Sequence, residues 1–148
     1  MLLTGLLLPT GTAQALIQVD RGIAGARLGN SRPAVRAALG TPTRTATGMN
    51  DFGPWVRYTY AGGIQVMFQG RERVSLVSTT GRGDRTLRGV GVGSSEATVR
   101  SRVQGIRCET FGNVRSCHTG RFVAGRRVTD FRIEGGRVTT VSVGIVID

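Results

Sequence analysis

The sequence repeats itself at a constant offset of 64 residues, the separation between Asp20 and Asp84. Each of these aspartates is followed directly by an arginine and, slightly further on, by a glycine. The same offset then persists through the rest of the chain without a gap, which predicts a duplicated structural unit. Matched pairs include Gly29 with Gly93, Ser31 with Ser95, Val35 with Val99, Arg57 with Arg121, Met67 with Phe131, Val74 with Val138 and Ser78 with Ser142.

The repeat divides the chain into two units, residues 16–80 and 81–148. The division falls in the segment Thr80-Gly81-Arg82-Gly83, whose glycines are typical of a flexible connection. Units of this length are small for independent domains, so each must bury much of its apolar surface to fold.

Each unit is predicted to start with two short helices separated by a glycine-containing turn. The first helices would span 20–25 and 84–89. The second helices follow residues that favour the helix N-cap, because their side chains can accept a hydrogen bond from the first turn. The candidate caps are Asn30 or Ser31 in the first unit and Ser94 or Ser95 in the second.

Runs of β-branched and aromatic residues between turn signals predict four antiparallel strands after each helix pair. The predicted fold class is therefore α+β, with two tandem units of helix-turn-helix plus a four-stranded antiparallel sheet. The strands are expected at 43–47, 55–60, 64–69 and 73–79 in the first unit, and at 107–110, 115–123, 127–134 and 137–147 in the second.

The first fifteen residues resemble an export signal. Residues 2–9 are an apolar stretch, and Ala13-Gln14-Ala15 supplies the small residues that a signal peptidase requires. No basic residue precedes the apolar stretch, so residues 1–15 are predicted to be a signal peptide whose start is truncated. The alternative is an apolar N-terminal strand or helix. No other apolar stretch approaches the roughly 20 residues that span a bilayer.

The chain carries 20 basic residues against 9 acidic ones, and every basic residue is arginine. Such an excess favours anionic partners, although an arginine-only inventory is also typical of a GC-rich genome. The second hypothesis for function is therefore electrostatic binding of an anionic wall polymer; nucleic acid is the less favoured polymer. The arginines assigned to this role are Arg71, Arg73, Arg126 and Arg127.

Two cysteines, Cys108 and Cys117, flank a predicted hairpin turn at Gly112-Asn113. In an exported chain this spacing predicts a disulfide, which would stabilise the fold by about 2 to 3 kcal/mol. No metal site is predicted, because His118 is the only histidine and too few ligands remain.

The sequence offers little support for catalysis. His118 adjoins Cys117, but neighbouring strand residues point to opposite faces and the cysteine is assigned to the disulfide. The carboxylates show no paired arrangement, and 89–93 lacks the lysine of a phosphate-binding loop. The chain is therefore predicted to be no enzyme and to use no cofactor.

Alternation in the last strand predicts that Thr139, Val141, Val143, Ile145 and Ile147 face the helices. The intervening residues of the last strand should then lie on the opposite, open face. Applying this assignment to the first unit through the repeat offset predicts an open sheet face with an apolar, arginine-containing patch, a composition typical of interface centres. The alternative is that these residues form the core, because a one-residue slip inverts every face. The predicted protein-binding residues are Trp55, Arg57, Ile64, Val66, Phe68 and Arg121.

Two features together resemble a known family: the Gly-x-Ser-x-x-x-Val pattern at Gly29 and Gly93, and the Gly-Thr-Pro turn at 40–42 before the strands. The single unit is similar to the SmpA/OmlA/BamE envelope module. The tandem, exported, disulfide-bearing form resembles the β-lactamase inhibitor protein family. That resemblance implies one concave eight-stranded sheet that grips a folded protein.

The chain departs from the inhibitor family at two points. Its cysteines lie in the second unit, and the connection Ala61-Gly62-Gly63 has no acidic or aromatic residue to insert into an enzyme. Inhibition of a β-lactamase is therefore the least favoured function. The favoured hypothesis is a secreted or envelope-located, non-enzymatic module that binds a folded protein through its sheet.

Overall fold

The computed structural model describes residues 15–148, so the predicted signal peptide lies, apart from Ala15, outside the described residues. Two helices and eleven strands occur in this part of the chain. The helices are α1 (Arg32–Leu39) and α2 (Glu96–Arg102). The strands are β1 (Ile17–Gln18), β2 (Gly22–Ile23), β3 (Ala26–Arg27), β4 (Arg44–Asn50), β5 (Gly53–Thr59), β6 (Ile64–Gln69), β7 (Leu76–Thr79), β8 (Arg107–Phe111), β9 (Val114–His118), β10 (Arg127–Glu134) and β11 (Arg137–Ile145).

Eight of the strands form one antiparallel sheet in the order β4-β5-β6-β7-β11-β10-β9-β8. The short strands β1, β2 and β3 form a separate three-stranded sheet. The order of the large sheet is symmetric about its centre, where the last strand of each unit pairs with the other. The two units therefore share one sheet.

The register at the centre follows the repeat offset. Ser78 pairs with Ser142, its own counterpart, while Val77 pairs with Val143 and Thr79 pairs with Val141. In the two outer pairs, Val141 is the repeat counterpart of Val77, and Val143 is the repeat counterpart of Thr79. A local twofold axis therefore passes between the two serines.

Equivalent backbone hydrogen bonds hold each helix entry to its own sheet. The amide of Gly29 donates to the carbonyl of Val74 at 2.9 Å, and that of Gly93 donates to Val138 at 2.8 Å. Both bonds anchor the turn before the helix to the segment that follows β6 or β10: Val74 lies in the β6–β7 connection and Val138 at the start of β11. The repeated sequence thus makes repeated contacts.

The two observed helices have the predicted serine caps. The hydroxyl oxygen of Ser31 accepts from the amide of Ala34 at 3.3 Å, and that of Ser95 accepts from Thr98 at 3.2 Å. α1 ends at Gly40, whose φ of 82° is readily adopted by glycine. The predictions of these two helices are confirmed.

The predicted α+β class with two helix-turn-helix units is wrong, because the structure is mostly β and each unit has one helix. Residues 20–25 form turns around β2, with Asp20 and Ala24 at φ values of 59° and 55° that no right-handed helix contains. At Gly22 the neighbouring strand passes so close that a Cβ would lie 2.0 Å from the carbonyl oxygen of Ala26.

Residues 84–89 also form turns rather than a helix, because the carboxylate at their start is used in tertiary contacts. Asp84 is buried and accepts hydrogen bonds from the amide of Ala15 at 3.1 Å and the hydroxyl of Thr79 at 2.5 Å. These bonds tie the second unit to the first, so local helix signals at Asp84 are overridden.

The helices and the small sheet cover one face of the large sheet, called the covered face. A single apolar core lies between these layers and includes residues of both units. Fully buried side chains of this core include Ile17, Ile23, Val35, Tyr58, Val66, Phe68, Val77, Val90, Val99, Phe131, Val138 and Val141.

The observed bounds of β6 and β10 match the predicted strands, whereas two other predictions need correction. β9 ends at His118 rather than at residue 123, because the chain turns at Gly120, whose φ is 61°. In β11, Val138 is buried and Thr139 is not, since the register shifts between Arg132 and Ile133 of the partner strand.

Within residues 15–148, no helix has the length and apolar character that crossing a bilayer requires.

Substitutions in β6 distinguish its two faces. Phe68 is fully buried on the covered face, whereas Met67 lies on the opposite face and is partly exposed. We expect Phe68→Ala to lower the free energy of unfolding by about 3 to 5 kcal/mol and Met67→Ala to lower it by about 1 kcal/mol or less. Urea denaturation of both variants measures this difference. Equal losses would contradict the assigned faces.

Candidate binding surface on the open sheet face

The face of the large sheet opposite the helices, called the open face, is assembled by strand pairing. Cross-strand partners share a face, so the register identifies its members. Trp55 and Arg57 of β5 pair with Gln69 and Met67 of β6. The remaining members include Arg44, Ala46, Gly48, Gln65, Leu76, Ser78, Glu109, Ser116, His118, Asp130, Arg132, Ser142 and Gly144.

The predicted surface is only partly correct. Trp55 and Arg57 lie on the open face, but Ile64, Val66 and Phe68 are buried on the covered face. The amide of Tyr60 donates to the carbonyl of Ile64 at 2.9 Å, which closes a three-residue loop and places odd-numbered residues opposite odd-numbered ones. The prediction grouped odd-numbered residues of β5 with even-numbered residues of β6, which lie on opposite faces of the sheet.

Trp55 and Arg57 form a stacked pair at the first-unit end of the open face. The guanidinium carbon of Arg57 lies 5.5 Å from the centre of the indole ring, within the range of a cation–π contact. Trp55 lies flat across Gly48, where an added Cβ would be 2.3 Å from its Cζ2 atom. The glycine therefore allows the indole to lie on the sheet.

The Nε of Arg57 is buried and has no hydrogen-bond partner among the described residues. A buried donor without a partner costs free energy, since it has lost its bonds to water. The Trp55–Arg57 pair is therefore held in place by packing against the sheet rather than by polar contacts at this atom.

An aromatic and acidic cluster occupies the second-unit end of the open face. His118 is 3% exposed, and its Nε2 lies 2.7 Å from Oε2 of Glu109. Its ring centre lies 4.6 Å from that of Phe122, which in turn makes an edge contact with Phe111 at 6.0 Å. The two phenylalanines remain 50% and 52% exposed, so they add apolar surface to this end.

Asp130 adjoins this cluster. Burial raises the pKa of its carboxyl, while the hydroxyl of Ser116, which donates to it, and the charges of His118 and Arg132 act in the opposite direction. Ser116 and His118 thus have different carboxylate partners. The hydroxyl of Ser116 therefore donates to Asp130, while the imidazole of His118 contacts Glu109.

Sequence reasoning missed this acidic cluster. Glu109 and Ser116 pair across the β8–β9 hairpin, whereas Asp130 comes later in the chain and joins them only through the pairing of β9 with β10. The usable signal was the alternation within β9, which places Ser116 and His118 on the same face.

Arg121 does not lie in a strand of the open face, where the repeat offset predicted it as the second-unit counterpart of Arg57. The chain leaves β9 at His118, so Arg121 lies in an exposed loop rather than in a strand. There it lines a depression of about 680 Å³ together with Arg126 and Arg127. The structure thus groups three arginines near Asp20, which also lines this depression.

The other two predicted arginines have separate positions. Arg71 lies in the β6–β7 connection at a φ of 74°, and Arg73 donates from its guanidinium to the carbonyl of Gly29 at 3.4 Å. Arg73 thereby supports the entry to α1, so part of its predicted binding role is replaced by a structural contact.

Cys108 and Cys117 form a disulfide, as the sequence predicted. It joins directly paired residues of β8 and β9 on the covered face. The bond fastens the edge strand β8 to the rest of the sheet, and it engages both sulfurs that could otherwise bind metal.

No protein-family model matches the sequence, and a comparison with curated proteins finds no match. Solved structures share the fold. An extracellular protein containing an SCP domain from Bacillus anthracis superposes with a TM-score of 0.55 at 10% identity, over 93% of this chain and 50% of that one. The uncharacterized protein YfeY from Escherichia coli superposes with a TM-score of 0.55 at 13% identity, over 86% of this chain and 99% of that one.

A cysteine-rich secretory protein from Staphylococcus aureus gives a TM-score of 0.51 at 11% identity, over 80% of this chain and 44% of that one. This chain thus spans about half the length of the Bacillus and Staphylococcus proteins. Such low identities show the fold alone. Membership of the SmpA/OmlA/BamE or β-lactamase inhibitor family stays a prediction.

The raised pKa of Asp130 predicts how stability depends on pH. The folded state keeps this proton to a higher pH than the unfolded state, whose value is near the ordinary 3.8. The contribution to stability is therefore complete below that value and is lost as the pH rises through the folded pKa. We expect Asp130→Asn to lose less stability than the wild type as the pH rises above 3.8.

Urea midpoints across this pH range measure the effect, and Asp51→Asn in the exposed β4–β5 turn is the matched control. Parallel pH profiles for Asp130→Asn and the wild type would show that Asp130 carries no such linkage.

Proposed function

We propose that this chain is an exported, non-enzymatic protein that binds a folded protein through the open face. One observation carries the proposal: the open face bears the Trp55–Arg57 pair at one end and the partly exposed rings of Phe111 and Phe122 at the other. Tryptophan and arginine are the residue types most enriched at the centres of protein interfaces.

The geometry of the open face suits a protein partner better than a small ligand. It extends over eight strands, with Trp55 near one end and the Phe111–Phe122 contact near the other. Small side chains, Ser78 and Ser142, lie between these ends. A broad surface with apolar groups at both ends favours a partner of comparable size, and a sheet undergoes little rearrangement on binding.

Export is supported by two observations. The disulfide between Cys108 and Cys117 is a type of bond that persists mainly in oxidising compartments. The Bacillus and Staphylococcus proteins that share the fold are described as extracellular and secretory. We assign the chain to the extracellular space or the cell envelope, with residues 1–15 as its signal.

The proposal includes no catalytic step and no cofactor. His118 is enclosed by Glu109 and Phe122, so its ring is occupied in packing and hydrogen bonding. It also does not extend to β-lactamase inhibition, because the exposed connection at 61–63 offers only alanine and glycine.

Capture of a partner from the envelope and secreted fractions of the source organism tests the proposal. We expect immobilised wild-type protein to retain a partner that mass spectrometry identifies. A Trp55→Ala, Arg57→Ala double variant should bind it at least about 30-fold more weakly, as loss of central interface residues typically costs 2 kcal/mol or more. Unfolding curves verify that the variant is folded.

The matched control is Arg71→Ala with Arg73→Ala, which removes two arginines outside the open face and should leave this binding unchanged. Undiminished capture by the Trp55 and Arg57 variant would contradict the assigned surface.

A second candidate function is binding of an anionic wall polymer, favoured by the grouping of Arg121, Arg126 and Arg127 around one depression. Binding of this kind weakens steeply as salt rises, because it releases counterions from the polymer. Salt-sensitive retention that is lost in Arg126→Ala, Arg127→Ala and retained in the Trp55 and Arg57 variant would favour this candidate.

A further inference from the structure

The edge strand β4 carries, along its outer side, backbone groups that pair with no other described residue. It is the first strand of the large sheet and has β5 as its sole neighbour within the described chain. Its seven residues pair with β5 without a register shift, and most of their side chains are exposed. Such an edge is a template for another strand unless charge, proline or a bulge protects it.

The hydrogen bonds between β5 and β6 identify which backbone groups of β4 point away from the sheet. The amide of Tyr60 donates to Ile64, and that of Gly70 donates to Pro54, so even-numbered residues of β5 bond to β6. Odd-numbered residues of β5 therefore bond to the even-numbered residues of β4, with which they pair. The amides and carbonyls of Thr45, Thr47 and Met49 are left facing outward.

The opposite edge of the sheet is protected, and β4 is not. β8 has five residues, among them Arg107 and Glu109, and it is fastened to β9 by the disulfide. Pairing two copies of β8 about its centre would set Glu109 against itself. The outward-facing residues of β4 carry no charge, and Met49 is 70% exposed.

We propose that β4 pairs with β4 of a second copy of this chain, in antiparallel orientation about Thr47. The sequence of the strand is compatible with itself in this register. Thr47 meets its own counterpart, Thr45 meets Met49, and Arg44 meets Asn50, so no like charges are opposed. Three outward residues on each copy would form about six hydrogen bonds, and both eight-stranded sheets would continue into one.

The pairing also covers exposed apolar surface and leaves the open face free. Met49 packs beside Thr45 of the second copy on the covered-face side. On the open face the seam is formed by Ala46 and Gly48, whose small side chains offer no obstruction. The two Trp55–Arg57 pairs would then lie on one continuous surface, so the dimer presents two binding surfaces to the same side.

Charge substitution at the twofold axis tests the proposal. In Thr47→Lys two ammonium groups face each other, and in Thr47→Glu two carboxylates do. We expect sedimentation of the wild type to show a dimer that dissociates on dilution. Each variant alone should dissociate at least about tenfold more readily, and an equimolar mixture of the two should recover the dimer.

The control is Thr110→Lys, which places the same charge on the exposed edge strand β8 and should leave the dimer unchanged. Thr47 is exposed, so neither substitution at this position should impair folding. A wild type that stays monomeric at every concentration would overturn the proposal, as would a dimer that Thr47→Lys does not weaken. Either result leaves partner binding by Trp55 and Arg57 untouched, because that binding is measured separately.

Discussion

Pairing between β7 and β11 is the contact on which the rest of the structure depends. Each of these strands ends one copy of the repeat, and their antiparallel register brings Ser78 against Ser142 on a local twofold axis. Without this contact each unit would present two edges to solvent, and a four-stranded sheet with one short helix would bury little apolar surface. With it, one core extends beneath both units.

The covered and open faces follow from the same duplication. Each helix precedes the strands of the large sheet in its own unit. Both helices are anchored to the same side of the sheet, through hydrogen bonds of Gly29 and Gly93. The small sheet packs on this side as well, where the hydroxyl of Thr129 in β10 donates to Asp20 at 2.9 Å. The helices and the small sheet thereby lie on one face of the large sheet, opposite the face that carries Trp55 and Arg57.

Local sequence signals predicted the features that depend on near neighbours. The serine caps, the bounds of β6 and β10 and the hairpin disulfide all involve residues close in the chain. Features set by long-range contacts were predicted poorly. The expected helix at 20–25 is replaced by strand and turn because Asp20 is held by Thr129, and the helix at 84–89 is replaced because Asp84 is held by Ala15 and Thr79.

The candidate surface shows the same division. The alternation of side chains along β5 placed Trp55 and Arg57 on a common face. It could not predict which face Val66 and Phe68 occupy, because that depends on the geometry of the loop at 61–63. The repeat offset predicted Arg121 on the open face of the second unit, as the counterpart of Arg57, but β9 ends at His118 and Arg121 lies in the loop that follows. The cluster around His118 is assembled by the pairing of β8, β9 and β10, so the sequence of any one of these strands could not predict it.

The central claim, that the two units join through β7 and β11 in this register, is tested most directly by a disulfide at the twofold axis. The amide of Ile145 donates to Ser75, so alternation makes Ser78 and Ser142 a non-hydrogen-bonded pair with Cα atoms about 4.5 Å apart, close enough for a disulfide. Mass spectrometry of a Ser78→Cys, Ser142→Cys variant should find these positions cross-linked beside the native Cys108–Cys117 bond. Free thiols at both positions, or equal cross-linking in a Ser78→Cys, Thr140→Cys control, would contradict the account.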